Sequence, residues 1–189
     1  MSKGKLFVIS GASGVGKSTV LAKVIDSRED LLFSVSATTR TPRPGEQEAV
    51  NYYFVSKEAF RDMIDRDEFV EYDAHMDNYY GTPKGQLEDK LAKGNVILDI
   101  EPNGAFAVRS KRPDAVLIFI APPSMEELER RLRSRGDTPE DQIRIRLDRA
   151  KWEMEQTPHY DYVVINDRVD ACADEIVNIV AKLADKLED

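Results

Sequence analysis

Residues Gly11-Ala12-Ser13-Gly14-Val15-Gly16-Lys17-Ser18 fit the pattern G-x-x-x-x-G-K-[ST] at every fixed position. These residue types suit one task. Glycines let the backbone fold around a phosphate chain with its N–H groups turned inward. A helix starting after the loop adds the partial positive charge of its N-terminus. Lys17 reaches the terminal phosphates as a mobile point charge, and the Ser18 hydroxyl can ligate Mg²⁺. Leu6–Ser10 before the loop reads as a buried strand and Ser18–Ile25 after it as a helix, the context this motif needs. Residues 11–18 and Thr19 are therefore expected to hold a nucleoside triphosphate with Mg²⁺. ATPases, GTPases and small-molecule kinases share the loop, so the acceptor of the phosphate must be read elsewhere.

A second anion site is expected at Ser34–Gly45. Arg40 and Arg43 lie three residues apart, with Pro42 and Pro44 following Thr41 and Arg43. A residue before proline is pushed toward extended conformations, so the arginines sit on a stiffened loop. Two guanidiniums on one loop suit a phosphate, which they can grip through paired N–H groups. Tyr52, Tyr79 and Tyr80 add hydroxyls and flat ring faces. Glu71 and Asp73 follow Phe69-Val70 in an alternating stretch. If one of them faces the pocket, its carboxylate can accept the N1 and N2 hydrogens of guanine. Adenine presents an acceptor at N1 instead. Asp99 ends the apolar run Val96-Ile97-Leu98. At the C-terminal end of a central strand it either holds Mg²⁺, directly or through water, or is a solvated strand-end carboxylate.

Seven of the fifteen arginines fall between Arg130 and Arg149, around Gly136-Asp137-Thr138. They read as a lid that carries charge onto the phosphates and excludes water. Glu126, Glu127, Glu129, Glu140, Asp141 and Asp148 can neutralise several of them. The only histidines, His75 and His159, read as ordinary surface or loop residues.

The elements that must position these groups follow from hydrophobic patterning. Val96–Ile100 and Ala115–Ala121 are apolar enough to be central strands of a parallel sheet, and Tyr162–Ile165 is a further strand. Ser124 with Glu127 makes a capping box before Leu128 and Leu132. Gly136 suits a helix C-terminus, and Thr138-Pro139 reads as an N-cap with proline at the first helical position. Cys172, Ile176, Val180, Leu183 and Leu187 share one face of a last helix, which makes Cys172 a core residue. Strand–helix alternation implies an α/β fold with helices on both faces of a parallel sheet. Residues 33–82, with Pro42, Pro44, Gly45 and five of the seven tyrosines, break the alternation. They read as an inserted subdomain of short strands and loops.

A length of 189 residues suits about one domain. With 27 Lys+Arg against 35 Asp+Glu the net charge is −8, which argues against non-specific duplex DNA as a partner. No apolar run approaches the ~18 residues of a spanning helix, so no membrane partner is expected. The four residues Leu6–Ile9 are too few for a signal-peptide core, and one cysteine excludes an internal disulfide. A cytoplasmic protein is expected; oligomeric state is left open.

Over nearly its whole length the sequence resembles the guanylate kinase family. The matching residues are Gly11–Ser18, Ser36-Ala37-Thr38-Thr39-Arg40-Thr41-Pro42-Arg43, Tyr52, Glu71, Asn78-Tyr79-Tyr80-Gly81-Thr82, Ile120–Ser124, Arg135-Gly136 and Asn166-Asp167. The Arg40–Arg43 block with Tyr79-Tyr80-Gly81 is specific to that family among phosphate-loop proteins. The resemblance implies a three-layer phosphate-loop fold with a central parallel sheet. Its core would be approximately residues 1–35, 93–125 and 156–189, its nucleoside-monophosphate-binding part 36–92, and its helical lid 126–155. It implies transfer of the γ-phosphoryl group of ATP to GMP, and to dGMP, with Mg²⁺. Arg40, Arg43, Tyr52 and Tyr80 would hold the GMP phosphate, while Ser36, Glu71 and Thr82 would read guanine. Arg131, Arg135 and Arg146 match the family's ATP-side arginines and would join Lys17 and Arg40 in catalysis. Asn166 matches its adenine-edge contact.

One stretch departs from the family's Asp-x-Gln-Gly: here it is Glu101-Pro102-Asn103-Gly104. By resemblance Glu101 keeps the carboxylate near guanine, one methylene longer. Two rivals are weighed against the kinase. Guanylate-kinase-like scaffold modules have an impaired phosphate loop, whereas Lys17 and Ser18 are intact. The other is a related small-molecule kinase acting on a phosphorylated sugar or another nucleotide, and Glu71 with the Ser36 hydroxyl argues for a guanine base over a sugar.

Overall fold

The structure is a computed structural model that describes residues 4–75, 77–134 and 139–184. The expectations at Arg135, Gly136, Thr138 and Leu187 lie outside the described residues. The chain opens with β1 (Leu6–Gly11), α1 (Lys17–Asp26) and β2 (Leu31–Phe33). Next come β3 (Ala37–Thr38), β4 (Tyr53–Phe54), α2 (Lys57–Asp65), β5 (Phe69–His75) and β6 (Asn78–Pro83). Then α3 (Lys84–Leu91) leads to β7 (Asn95–Asp99), α4 (Pro102–Lys111) and β8 (Val116–Ala121). The helices α5 (Met125–Ser134) and α6 (Glu140–Glu155) precede a 3₁₀ turn, β9 (Tyr162–Ile165) and α7 (Val169–Ala184).

Five strands form one parallel sheet in the order β2-β7-β1-β8-β9. Successive residues Phe7, Val8 and Ile9 are fully buried, as are Val96, Ile97 and Leu98. Neighbours on a strand point to opposite faces, so helices cover the sheet on both sides. Here α1 packs on α7, and α4 packs against β1. The strand order reverses at β1, because β2 is reached on one side of it and β8 on the other. The carboxyl ends of β1 and β7, at Gly11 and Asp99, flank that reversal, which is where open α/β sheets bind ligands.

The remaining strands form a second sheet, β4-β3-β6-β5, with its own small core of Ala37, Phe60 and Phe69. The Phe60 and Phe69 rings stack at 4.4 Å. The helix α2 within this segment was not among the short strands and loops expected there. Phe60, Met63 and Ile64 give it one apolar face at helical spacing, and the Ser56 side chain caps it by accepting the Ala59 N–H at 3.1 Å. Phe60 then anchors it on the sheet. A Cβ on Gly81 would stand 2.9 Å from the Phe69 ring, so glycine is required for that close approach.

Ser124 caps α5 through the Glu127 N–H at 3.1 Å. Pro139 occupies the cap position of α6 rather than its first turn, with an extended ψ of 148°. Cys172 is buried on the inner face of α7.

Candidate active site

The phosphate loop is held in shape from three directions. Gly14 and Gly16 take φ of +85° and +93°, the left-handed region that glycine alone enters freely. A Cβ on Gly14 would also lie 2.6 Å from a Leu132 methyl. From behind, the buried Asn166 donates its side-chain N–H to the Val15 carbonyl at 2.8 Å. From α6, Glu153 accepts the Ser13 N–H at 2.6 Å. Because α1 begins at Lys17, its unpaired N–H groups open onto the loop. Lys17 pairs with Asp99 across the sheet end. Burial pulls the Lys17 pKa down, but the Asp99 carboxylate outweighs it and the net shift is upward. The side chain stays a cation.

A single cleft of about 700 Å³ runs from this loop to the second sheet. Residues 11–19 line one wall, and Ser36, Arg43, Tyr52, Glu71 and Tyr80 line the opposite one. Asp99 and Glu101 lie between them, and Arg146, Arg149 and Glu153 of α6 close one flank. The phosphate loop and the second anion site are thus opposed walls of one space.

On the second-sheet wall, register places Glu71 opposite Thr82. The Thr82 hydroxyl donates to Glu71 Oε1 at 2.6 Å. Glu71 is 5% exposed, and burial pushes its carboxyl above the usual range. Asp73, two residues along the same strand face, also lines the cleft. Helix α4 comes close at Gly104, where a Cβ would stand 2.9 Å from Glu71 Oε2.

Arg40 stands behind this wall. Glu46 holds both its terminal nitrogens at 2.9 Å and also accepts the Arg43 N–H at 2.8 Å. Hydrogen bonding to Arg40 holds the Glu46 carboxyl at about 2. The Arg40 guanidinium lies over the Tyr52 ring, 5.3 Å from its centre, and Tyr80 meets Tyr52 edge-on at 6.1 Å. The sequence reading does not single out Glu46; an acid six residues after an arginine, on a loop, was the available signal.

The arginine cluster divides. Arg146 faces the cleft. Arg131 ties α5 to the segment after β9, donating to the Asn166 and Asp167 carbonyls at 2.7 and 3.0 Å and to Glu127 at 2.7 Å. Arg130 pairs with Glu127, and Arg133 with Glu129 and Glu140. Arg149 bonds Glu101 at 2.6 Å and Glu153 at 3.0 Å. Glu153 itself had no sequence signal, since its loop partner lies 140 residues away. It is 1% exposed, and burial pushes its carboxyl up to about 7.

The family model described as guanylate kinase matches residues 3–183. A guanylate kinase of Prochlorococcus marinus subsp. pastoris is 45% identical over 177 residues, 93% of this chain and 96% of that one. One from Thermus thermophilus is 46% identical over 182 residues, 95% of this chain and 81% of its own. The crystal structure of guanylate kinase from Anaplasma phagocytophilum superposes with a TM-score of 0.79 at 37% identity, covering 97% of this chain and 87% of that one.

Proposed function

The chain belongs to the guanylate kinase family, and from that premise we propose how its residues divide the transfer of the γ-phosphoryl group from ATP to GMP. The observation that carries the reading is the continuous cleft with a phosphate loop on one wall and a buried carboxylate on the other. The acceptor phosphate has a second pKa of about 6 and is largely dianionic at neutral pH, so no side-chain base is needed. The difficulty is bringing two anions together in line, which makes catalysis a matter of positioning and charge. The loop N–H groups and Lys17 hold the triphosphate, with Thr19 beside them. Arg43, Tyr52 and Tyr80 face the GMP phosphate. Arg40, paired with Glu46 behind that wall, holds the Tyr52 ring in place and adds its charge from there. Glu71 accepts the guanine N–H groups, Thr82 orients it, and Ser36 adds a hydroxyl.

The Ser18 hydroxyl lines the cleft with the Asp99 carboxylate, a sparse oxygen set that fits a Mg²⁺ keeping waters and phosphate oxygens. Held there by Ser18 and Asp99 together with ATP, the ion would supply positive charge to the phosphates. Segments 36–92 and 126–155 are proposed to close over the core 1–35, 93–125 and 156–189. The separate small core of the second sheet supports this division. A reducing, cytoplasmic setting suits the single, buried Cys172.

A coupled assay offering ATP with GMP, dGMP, AMP, UMP and ribose phosphates tests the reading. GMP and dGMP are expected to turn over; preference for a sugar phosphate would overturn it. Within this assay Arg146→Ala, like Arg135→Ala, should lower kcat by roughly 10²-fold while GMP affinity changes little. Loss of GMP affinity at unchanged kcat would move these arginines to the other nucleotide. Gly104→Ala should raise the KM for GMP by roughly tenfold, because its methyl displaces Glu71 Oε2. The KM for ATP should hold; a rise in both would assign Gly104 to general packing.

A further inference from the structure

We propose that Glu101 in this chain serves the ATP side of the cleft, bracing the phosphate loop through Arg149 and Glu153, and does not read guanine. The proposal rests on the cleft being an ATP–GMP site and assigns one of its carboxylates a different task.

A continuous line of bonds carries it. Glu101 Oε2 accepts Arg149 Nη2 at 2.6 Å. Arg149 Nε donates to Glu153 Oε1 at 3.0 Å. Glu153 Oε2 accepts the Ser13 N–H at 2.6 Å. The start of α4, the last turns of α6 and the third residue of the phosphate loop are thereby joined. Glu153 is almost fully buried, and a buried carboxylate without partners is costly. Arg149 is the cation that keeps Glu153 in place under Ser13, and Glu101 takes the neighbouring nitrogen on the same edge of that guanidinium, so one arginine holds both carboxyl groups. An interaction of this kind between a carboxylate and a guanidinium is short and directional.

The departure from the family pattern fits the same task. An aspartate at position 101 would end roughly 1.5 Å short, one carbon–carbon bond, and would lose Arg149. Pro102 fixes φ at the first residue of α4 and so fixes where the Glu101 side chain leaves the backbone. On the proposed reading guanine already has a carboxylate in Glu71, which lies against Gly104 of the same helix. A carboxylate engaged by Arg149 has less capacity to accept the base.

Calorimetric titration of ATP and of GMP separately, on wild type, Glu101→Gln, Arg149→Met and the double variant, tests this, with thermal melts as the control for folding. Each single variant should weaken ATP about tenfold and leave GMP within about twofold. The double variant should be no weaker than the singles, because both break one line of bonds. Glu101→Asp should behave like Glu101→Gln, and Arg149→Lys should recover part of the ATP affinity. In turnover, kcat and the KM for ATP should change while the ratio of GMP to AMP activity holds. Weaker GMP binding and a narrowed GMP-to-AMP ratio in Glu101→Gln, without either in Arg149→Met, would overturn the proposal. So would losses of ATP affinity that multiply in the double variant. The binding titrations need no turnover. A wild type that failed to phosphorylate GMP would therefore sink the reading of the acceptor site, while the ATP affinities would still decide the brace.

Discussion

Lys17→Met is expected to lower kcat by roughly 10³-fold or more in a protein that still folds. Lys17 is the lysine of the phosphate loop, and its ammonium is half-buried in the cleft beside Asp99. That pairing keeps it charged and aimed at the space where the triphosphate must lie. Methionine keeps the length and apolar stem but removes the charge, so the developing negative charge of the transferring group loses its nearest fixed cation. The substitution also leaves the Asp99 carboxylate without that partner, at a cost of about 1–3 kcal/mol in stability. The two effects separate in a double variant. Lys17→Met with Asp99→Asn should recover the melting temperature and not the turnover. The measurement is kcat at saturating ATP and GMP, alongside thermal melts of each variant. Turnover near wild type in a folded Lys17→Met protein would sink the assignment of the loop to catalysis.

What was legible in the sequence was what local spacing controls. The phosphate loop, its strand and its helix are contiguous, and β9 falls at Tyr162–Ile165, where a short apolar run marked it. Glu71 stood out as a carboxylate in an alternating stretch and Thr82 only through the family resemblance, and a hairpin register made them partners. The illegible part lies in contacts between distant segments. Nothing local to Glu153 announces a bond to Ser13, and nothing local to Glu101 announces Arg149. Arg131 illustrates the same limit. The family resemblance puts it on the ATP side, and no local pattern foretells that its guanidinium donates to the Asn166 and Asp167 carbonyls. Asn166 in turn supports the phosphate loop through Val15. Charge and spacing identify the groups able to meet an anion; only packing decides which of them face the cleft and which hold its walls.

Base choice should rest on Glu71. Its Oε1 takes the Thr82 hydroxyl at 2.6 Å, and its Oε2 lies against the backbone of α4 at Gly104. It lines the cleft but is 5% exposed, so a ligand that fails to donate to it leaves a poorly solvated carboxylate. GMP offers N1–H and N2–H donors. AMP offers an acceptor at N1 and no amine at C2, and a site of this kind rejects such a ligand by roughly 10⁴-fold. Glu71→Gln keeps the volume and can keep the Thr82 bond through its amide oxygen. The NH₂ group then stands where the second oxygen was, a donor facing the donors of guanine. The expected result is a loss in kcat/KM for GMP of at least ~100-fold, about 2.7 kcal/mol. AMP should lose little or improve, because the unpaired carboxylate that excluded it is gone. The measurement is kcat/KM for both nucleotides in wild type and variant, with melts to confirm folding. Equal losses would mean that Glu71 supports the pocket without reading the base. Asp73, on the same face of β5 and lining the same cleft, would then be the carboxylate to test next.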